Sequence, residues 1–221
     1  MKRTLGLAAA VALVLGSIQA QAQSVIYTFS DATSDGWANA GFGGSPLASV
    51  SNIGGQNYIF LPLGGFQVGN VSAGSGALYN AMAAAAASPA VYNLSYDYYI
   101  NTANWGATPG TYFQIGSFVN TGGGYYAQDF GAVKEVELNG TQVASGAVFT
   151  GHVSVNFAAV GFSMPADTFY RLGLIENGDG SGAGVGAYFT NISVAPIPEP
   201  GSLALIGLGM TSLITIRRRH S

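Results

Sequence analysis

Cysteine is absent from this 221-residue chain, and charged side chains make up only 8% of it. Without cysteine the chain cannot form a disulfide, bind zinc through thiolates or use a thiol as a nucleophile. Disordered chains combine low hydrophobicity with high charge. This chain has the opposite composition, so we do not expect it to be disordered. The 33 glycines and 12% aromatic residues instead favour an all-β domain with many tight turns.

Basic residues are scarce in the middle of the chain. Five of the seven lie near the two termini, which leaves Lys134 and Arg171 between them. Nine of the ten acidic residues also lie in this middle part, so its net charge is −7. A domain of this charge has no basic patch that neutralises phosphates, which argues against nucleic acid as a partner.

The amino terminus has the features of a secretory signal peptide. It begins with two basic residues, continues with an apolar run over residues 5–18 and ends in the small-residue cleavage site Ala20-Gln21-Ala22. A helix needs about 20 apolar residues to span a bilayer, and this apolar run is shorter. We therefore expect residues 1–22 to be removed during export.

The carboxyl terminus has three consecutive parts. A proline-rich segment with Pro198, Glu199 and Pro200 comes first. Residues 201–216 then carry no charge and, as a transmembrane helix, would be about 24 Å long, slightly less than a hydrocarbon core of about 30 Å. A basic cluster ends the chain, and under the positive-inside rule it keeps the preceding domain outside the cytoplasm. This cluster consists of Arg217, Arg218 and Arg219.

The order of Pro-Glu-Pro motif, apolar span and basic end, behind a signal peptide, resembles the PEP-CTERM sorting signal over residues 196–221. This resemblance implies recognition by an exosortase, a membrane transpeptidase that processes such tails near the motif. It also implies an inner-membrane-anchored precursor and delivery to the cell surface or extracellular matrix of a Gram-negative bacterium that makes exopolysaccharide. Hydropathy alone supports a permanent single-span anchor equally well.

The middle of the chain, residues 23–195, alternates apolar and polar residues with the period of half-buried strands. The clearest segments are 91–100, 152–160 and 187–194. In the last segment the alternation predicts a shared face for Tyr188, Thr190, Ile192 and Val194. Weaker strand signals lie at residues 25–30, 58–61, 111–119, 133–138, 147–149 and 168–176.

Two local signals accompany the strands. Residues 76–88 are rich in alanine, the best helix former, and end at Ser88-Pro89, so we expect one short helix there. Asn139-Gly140 predicts a tight hairpin turn. Many short strands with glycine-rich turns point to a sandwich or barrel rather than an α/β fold.

The segments 26–29, 35–37, 92–99 and 188–194 resemble galactose-binding-like jelly rolls. The resemblance implies a jelly-roll-like β-sandwich. Together with the local signals above, we expect this sandwich to contain one short alanine-rich helix and to be flanked by the signal peptide and a transmembrane sorting helix. Such domains often carry Asp-Asn in the final strand, where this chain has Thr190-Asn191. A family-like calcium ligand is therefore not expected at that position.

Catalysis has little support in the sequence. His152 is the one histidine of the middle part, and no nucleophile pairs with it in a recognisable motif. Glu135 and Glu137 have the spacing of residues on one strand face, so they offer a carboxylate pair for a polysaccharide-acting hydrolase. A solvated strand face explains the same pattern, and we expect a protein that is not an enzyme.

Two binding hypotheses remain. Glu176, Asn177 and Asp179 form an oxygen-rich segment that predicts a structural calcium site, although such residues are also common in simple turns. Four aromatic residues lie in glycine-rich segments and are candidates for stacking on glycans, the alternative being that they pack over the ends of the sandwich. These are Trp37, Trp105, Tyr125 and Tyr126.

The sequence as a whole predicts an exported surface or matrix protein without catalytic activity. A glycan-binding module, with exopolysaccharide as the expected partner, is the sharper form of this hypothesis. A purely structural matrix component and a secreted hydrolase are the alternatives.

Overall fold

A computed structural model describes residues 23–39, 47–63, 67–105, 110–121, 124–127, 134–158, 169–179 and 185–197. The predicted leader, the Pro-Glu-Pro motif, the apolar span and the basic cluster lie outside the described residues. Within the described part, no helix is long and apolar enough to cross a membrane.

The described strands form two antiparallel sheets of six strands each. Sheet A contains β1 (Val25–Tyr27), β3 (Val50–Ile53), β4 (Gln56–Pro62), β6 (Tyr92–Asn101), β10 (Val148–Asn156) and β12 (Gly186–Pro196). Sheet B contains β2 (Ala38–Asn39), β5 (Gln67–Ala73), β7 (Tyr112–Thr121), β8 (Gly124–Ala127), β9 (Val136–Asn139) and β11 (Phe169–Gly178). The predicted all-β sandwich is therefore confirmed.

The strand order places β12 and β11 at the centres of the two sheets. Sheet A runs β10–β6–β12–β4–β3, and β1 pairs with the part of β12 that follows the β4 pairing. Sheet B runs β2–β5–β11–β7–β8, and β9 pairs with the first half of β7. Fully buried residues of both central strands form the core between the sheets, among them Leu172, Leu174, Phe189 and Val194.

The three clearest sequence segments are strands of sheet A. Residues 91–100 correspond to β6 and residues 187–194 to β12, whereas β10 begins four residues before the predicted 152–160 and ends at Asn156. β6 and β10 pair over all nine residues of β10. Period-two alternation located these strands because the residues on one face of each are less exposed than those on the other.

The predicted alanine-rich helix is present as α1 (Ala77–Ala87). Its buried residues, Leu78, Ala81, Met82 and Ala85, recur at the helical spacing of three and four. Small alanines suit a helix that packs against sheet strands, and α1 contacts β12, β11 and β5. The helix ends where Ser88 donates its backbone N–H to Ala84, and Pro89 begins a 3-10 turn, Pro89–Val91.

The hairpin turn predicted at Asn139-Gly140 is wrong. Asn139 instead caps a short helix, α2 (Gly140–Val143). Its side chain accepts a hydrogen bond from the Gln142 N–H at 3.1 Å, and the Gln142 side chain accepts one from the Asn139 N–H at 2.9 Å. This reciprocal capping box satisfies two helix N–H groups at once, so the chain turns into a helix rather than back along β9.

A β-bulge changes the faces of β12. Its register with β6 shifts between Thr190 and Ser193, and Asn191 has a left-handed backbone with φ of 49°. The extra residue leaves Tyr188 on the outer face while Ile192 and Val194 point into the core. The predicted shared face for these residues is therefore wrong, because a bulge interrupts the period of two.

Gly173 of β11 lies so close to neighbouring groups of sheet B that no side chain fits at this position. A Cβ atom on Gly173 would lie 2.1 Å from the Phe118 ring and 2.9 Å from the Val68 carbonyl oxygen. We expect Gly173→Ala to lower the free energy of unfolding by about 1–3 kcal/mol, because the added methyl overpacks this position. Urea unfolding measures the change.

Gly178→Ala is the matched comparison in the same strand. A Cβ atom there would meet the Phe113 ring edge at 3.1 Å, which is a smaller overlap. A loss of stability in Gly178→Ala equal to that in Gly173→Ala would contradict this packing account.

Candidate functional site

Four aromatic side chains share the outer face of sheet A. Their neighbours in sequence, including Ile59, Leu61, Ile100 and Phe189, are fully buried and face the core. Because successive strand residues point to opposite faces, the four rings face away from the core. All four are half-buried. This aromatic cluster consists of Tyr58 and Phe60 on β4, Tyr99 on β6 and Tyr188 on β12.

The rings of the aromatic cluster are in mutual contact. The Phe60 and Tyr188 centroids lie 4.5 Å apart, with 31° between the ring planes. Tyr99 lies 6.0 Å from Tyr188 in an edge-on arrangement and 6.0 Å from Tyr58. Pairs in this geometry hold one another through the ring quadrupoles, so the cluster is a preformed apolar surface.

Two tyrosines of the cluster, Tyr58 and Tyr188, have raised pKa values. Partial burial raises the pKa of Tyr188, with a smaller contribution from Tyr99. Partial burial also raises the pKa of Tyr58, and the Asp97 carboxylate adds to this effect. Tyr58 and Tyr188 therefore remain neutral hydrogen-bond donors and acceptors at physiological pH.

A polar network adjoins the aromatic cluster on the same face. The Asp97 carboxylate contacts the His152 Nδ1 atom at 2.6 Å and accepts a hydrogen bond from the Asn191 side chain, also at 2.6 Å. His152 lies directly opposite Asp97 in the β6–β10 ladder, and the side chain of His152 is 60% exposed. The bulge residue Asn191 is thus fixed by the strand beside it. We name these three residues the polar network.

Small polar side chains continue the face toward the end of β12. Ser154 accepts a hydrogen bond from the Asn93 side chain at 2.8 Å and lies 3.2 Å from the Ser95 hydroxyl. The outer face of sheet A therefore changes along β6 from aromatic at Tyr99, through charged at Asp97, to hydroxyl and amide groups at Ser95 and Asn93. Ligand sites commonly combine an apolar surface with a few fixed polar groups in this way.

The two tryptophans predicted to stack on a ligand are buried. Trp37 is fully buried and packs edge-on against Tyr27 at 5.5 Å. Trp105 is 7% exposed and lies 4.9 Å from the Phe113 ring. A ring enclosed on both faces cannot stack on a sugar, so this part of the prediction is corrected. A place in a glycine-rich segment of the sequence does not show whether an aromatic side chain is exposed or packs into the core.

Tyr125 and Tyr126 lie in a strand rather than in a loop. They belong to β8, which pairs with β7 through Asn120 and Val119. A role of these two tyrosines in binding glycans stays a prediction.

The carboxylates proposed for a hydrolase do not act as a pair. Glu135 lies just before β9, where its carboxylate accepts hydrogen bonds from the Tyr96 hydroxyl and from the Ser117 hydroxyl at 2.5 Å. Glu137 is exposed and forms an ion pair with Lys134. The expectation of one shared strand face is therefore wrong, because Glu135 turns inward to link β6 of sheet A with β7 of sheet B.

Burial governs the chemistry of Glu135. Loss of hydration raises the pKa of its carboxyl group, although the hydrogen bonds from Ser117 and Tyr96 oppose the shift. The pKa of Tyr96 is also raised, mainly by burial and then by the adjacent Glu135. This cluster is a cross-sheet contact inside the core.

The residues of the predicted calcium site face different directions. Glu176 is buried, and Asn177 follows it in β11, so their side chains point to opposite faces. Asp179 accepts hydrogen bonds from the Thr111 N–H and hydroxyl, which lower the pKa of its carboxyl group. In the described part of the chain no three His, Asp or Glu side chains form a metal-binding group. Residues 180–184 lie outside the described residues, and calcium binding stays a prediction.

The residues of the outer face were missed at the sequence level, although a signal exists. The prediction for residues 91–100 followed the face of Tyr92, Leu94 and Tyr96, which is the core face. The opposite positions, including Asp97 and Tyr99, hold polar residues with one tyrosine among them. Tyr188 was hidden by the bulge at Asn191, which no local pattern announces.

Comparison with known proteins identifies the tail. The family described as the PEP-CTERM protein-sorting motif matches residues 196–219. The chain therefore carries this sorting motif, as the sequence predicted, and the motif implies an exported, membrane-anchored precursor. A search of curated proteins finds no match to this chain.

Solved structures similar to this chain include carbohydrate-binding modules. A family-27 module of Caldicellulosiruptor saccharolyticus, in complex with mannohexaose, has 12% identity and a TM-score of 0.42, over 77% of this chain and 95% of the module. A family-28 module specific for non-crystalline cellulose has 13% identity and a TM-score of 0.41, over 77% and 89%. A second family-27 module, which recognises mannan, has 14% identity and a TM-score of 0.40, over 79% and 96%.

The bulge predicts a specific pattern of stability. We expect Asn191→Ala to lower the free energy of unfolding by about 1–2 kcal/mol, because alanine is strained at positive φ and loses the hydrogen bond to Asp97. Asn191→Gly should lose less, since glycine adopts this backbone without strain. A glycine variant less stable than the alanine variant in urea unfolding would contradict this account.

The buried carboxyl group predicts an unusual pH dependence. Because the pKa of Glu135 is raised in the folded protein, its protonation stabilises the fold, and this contribution is lost as the pH rises through the raised pKa. We therefore expect the stability of Glu135→Gln, relative to the unchanged protein, to increase as the pH rises from about 4 toward neutrality. Urea unfolding at several pH values measures this difference.

Glu137→Gln is the control with the opposite sign. Its hydrogen bond with Lys134 lowers the pKa of Glu137, so that side chain contributes stability at neutral pH that is lost on acidification. Parallel pH profiles for the two variants would contradict the assignment of Glu135 as the buried group.

Proposed function

We propose that the mature protein is a non-catalytic glycan-binding module of the cell surface or extracellular matrix, and that the outer face of sheet A binds the glycan. The observation that carries this proposal is the aromatic cluster of four contacting rings on an exposed sheet face. A contiguous aromatic surface that is rimmed by polar groups marks an interaction site rather than an ordinary surface.

The two parts of the face supply the two kinds of contact that a sugar needs. Tyr99 and Tyr188 offer apolar ring surface for the C–H faces of a pyranose. The polar network and the serine hydroxyls beyond it offer donors and acceptors for sugar hydroxyl groups. Tyr99 lies six positions after Asn93, about 20 Å along β6, so the face suits an oligosaccharide rather than one sugar.

The negative charge of the domain favours some classes of glycan over others. The part of the chain between leader and tail has a net charge of −7, and Asp97 lies at the middle of the proposed face. Anionic polysaccharides would bring carboxylate or sulfate groups against this field. Neutral glycans, or glycans with free amino groups, are the ligands that the face suits.

The acidic residues support binding rather than hydrolysis. A glycosidase needs two carboxyl groups that flank one glycosidic bond. Glu135 is engaged by Tyr96 and Ser117 inside the sandwich, and Glu137 is paired with Lys134 at the surface. His152 contacts Asp97 on the proposed binding face, where the pair suits hydrogen bonding to a ligand.

A self-assembling matrix component is the second candidate, and β10 favours it. This nine-residue strand ends the strand order of sheet A, and its sequence has no lysine, aspartate, glutamate or proline. Such residues normally protect an edge strand from pairing with another chain. Concentration-dependent association in sedimentation experiments, without binding to any glycan, would favour this candidate.

Removal of rings from the aromatic cluster tests the proposed function. We expect Tyr99→Ala and Tyr188→Ala each to weaken binding about tenfold, or about 1.4 kcal/mol, because each removes a stacking surface. The purified mature protein would be titrated by calorimetry with the producer's own exopolysaccharide, a neutral mannan, a neutral β-glucan and an anionic polysaccharide.

Tyr112→Ala is the matched control. Tyr112 is also a half-buried strand tyrosine, but it lies on β7 of sheet B. Its removal should leave glycan binding unchanged. Absence of binding to every polysaccharide, or equal losses in all three variants, would overturn the proposed function.

A further inference from the structure

The chain enters and leaves the sandwich at the same end of sheet A. β1 begins at Val25, which pairs with Val194 near the end of β12. β12 ends at Pro196 opposite Tyr92, and the next residue, Ile197, donates its N–H to the Val91 carbonyl at 2.8 Å. We name this end of sheet A the tethered end, and the opposite end, where Val148 pairs with Asn101, the free end.

Only a few residues connect the tethered end to the predicted leader and to the apolar span. The predicted leader ends three residues before Val25, and the apolar span begins four residues after Ile197. Four residues reach at most about 14 Å even when fully extended. Before processing, the folded domain therefore cannot move far from the bilayer, and the tethered end is the part that is held.

The surface chemistry of the tethered end suits this position. None of the described residues that meet there, 23–25, 87–93, 154–158 and 194–197, has a charged side chain. Val91 is 48% exposed, and Ala87, Ser88 and Ala90 beside it are also exposed. The acidic residues in the described part of the domain lie elsewhere in the sequence, so the residues named here bring no carboxylate against anionic lipid headgroups.

We propose that in the anchored precursor the tethered end lies against the bilayer surface while the strands of sheet A run away from it. Tyr188 precedes Pro196 by eight residues, which is about 26 Å along β12. The aromatic cluster would then lie toward the free end, away from the bilayer, while the precursor is still anchored in the membrane. This inference rests on insertion of the apolar span and is independent of what the outer face of sheet A binds.

The absence of native cysteine allows a direct test with a single introduced thiol. Val91→Cys and Val148→Cys are a matched pair, because the two valines are 48% and 51% exposed at opposite ends of sheet A. Each full-length precursor would be made in a host without the processing enzyme and reconstituted in vesicles of phosphatidylethanolamine and phosphatidylglycerol. A bimane label on the thiol reports contact with lipid headgroups that carry a nitroxide quencher.

We expect quenching at position 91 to be at least twofold stronger than at position 148. A flexible glycine-serine spacer of twelve residues between Ile197 and Pro198, with a root-mean-square length of about 19 Å, should reduce quenching at position 91. Equal quenching at both positions, stronger quenching at position 148, or no quenching at either would overturn the proposal. An unchanged signal with the spacer would also overturn it. No glycan enters these measurements, so their outcome is separate from that of the proposed function.

Discussion

The antiparallel pairing of β12 with β6 joins the core, the candidate binding face and the sorting motif. The inward residues of both strands, such as Leu94 and Phe189, form the centre of the core. The outward residues form the candidate binding face, and the end of β12 leads directly into the sorting motif. In a chain without cysteine, this pairing and the apolar burial behind it do the work that disulfides do in many exported domains.

The bulge at Asn191 lets β12 contribute side chains both to the core and to the candidate binding face. It lets Phe189 and Ile192 face the core although three positions separate them, and it places Tyr188 outside. The Asn191 side chain then bonds to Asp97 on β6, so the irregular residue is held by its neighbour. Bulges of this kind re-aim side chains next to functional sites in many sheets.

Sequence reasoning predicted the fold class, the helix and the sorting tail, because each depends on a local signal. The alanine run, the alternation in β6 and the Pro-Glu-Pro motif can be recognised without knowledge of their partners. The candidate site depends on which strands become neighbours, so Tyr58, Phe60, Tyr99 and Tyr188 could not be grouped from their positions along the chain. Trp37 and Trp105 were misjudged for the same reason, since only the packed sandwich encloses them.

The proposed function requires that a glycan binds to the outer face of sheet A. Backbone amide shifts of the isotope-labelled mature protein, recorded by nuclear magnetic resonance during titration with a neutral oligosaccharide, test it most directly. We expect the perturbed amides to lie in β4, β6, β10 and β12, around the aromatic cluster and the polar network. Perturbations confined to sheet B, or no perturbation with any glycan, would contradict it.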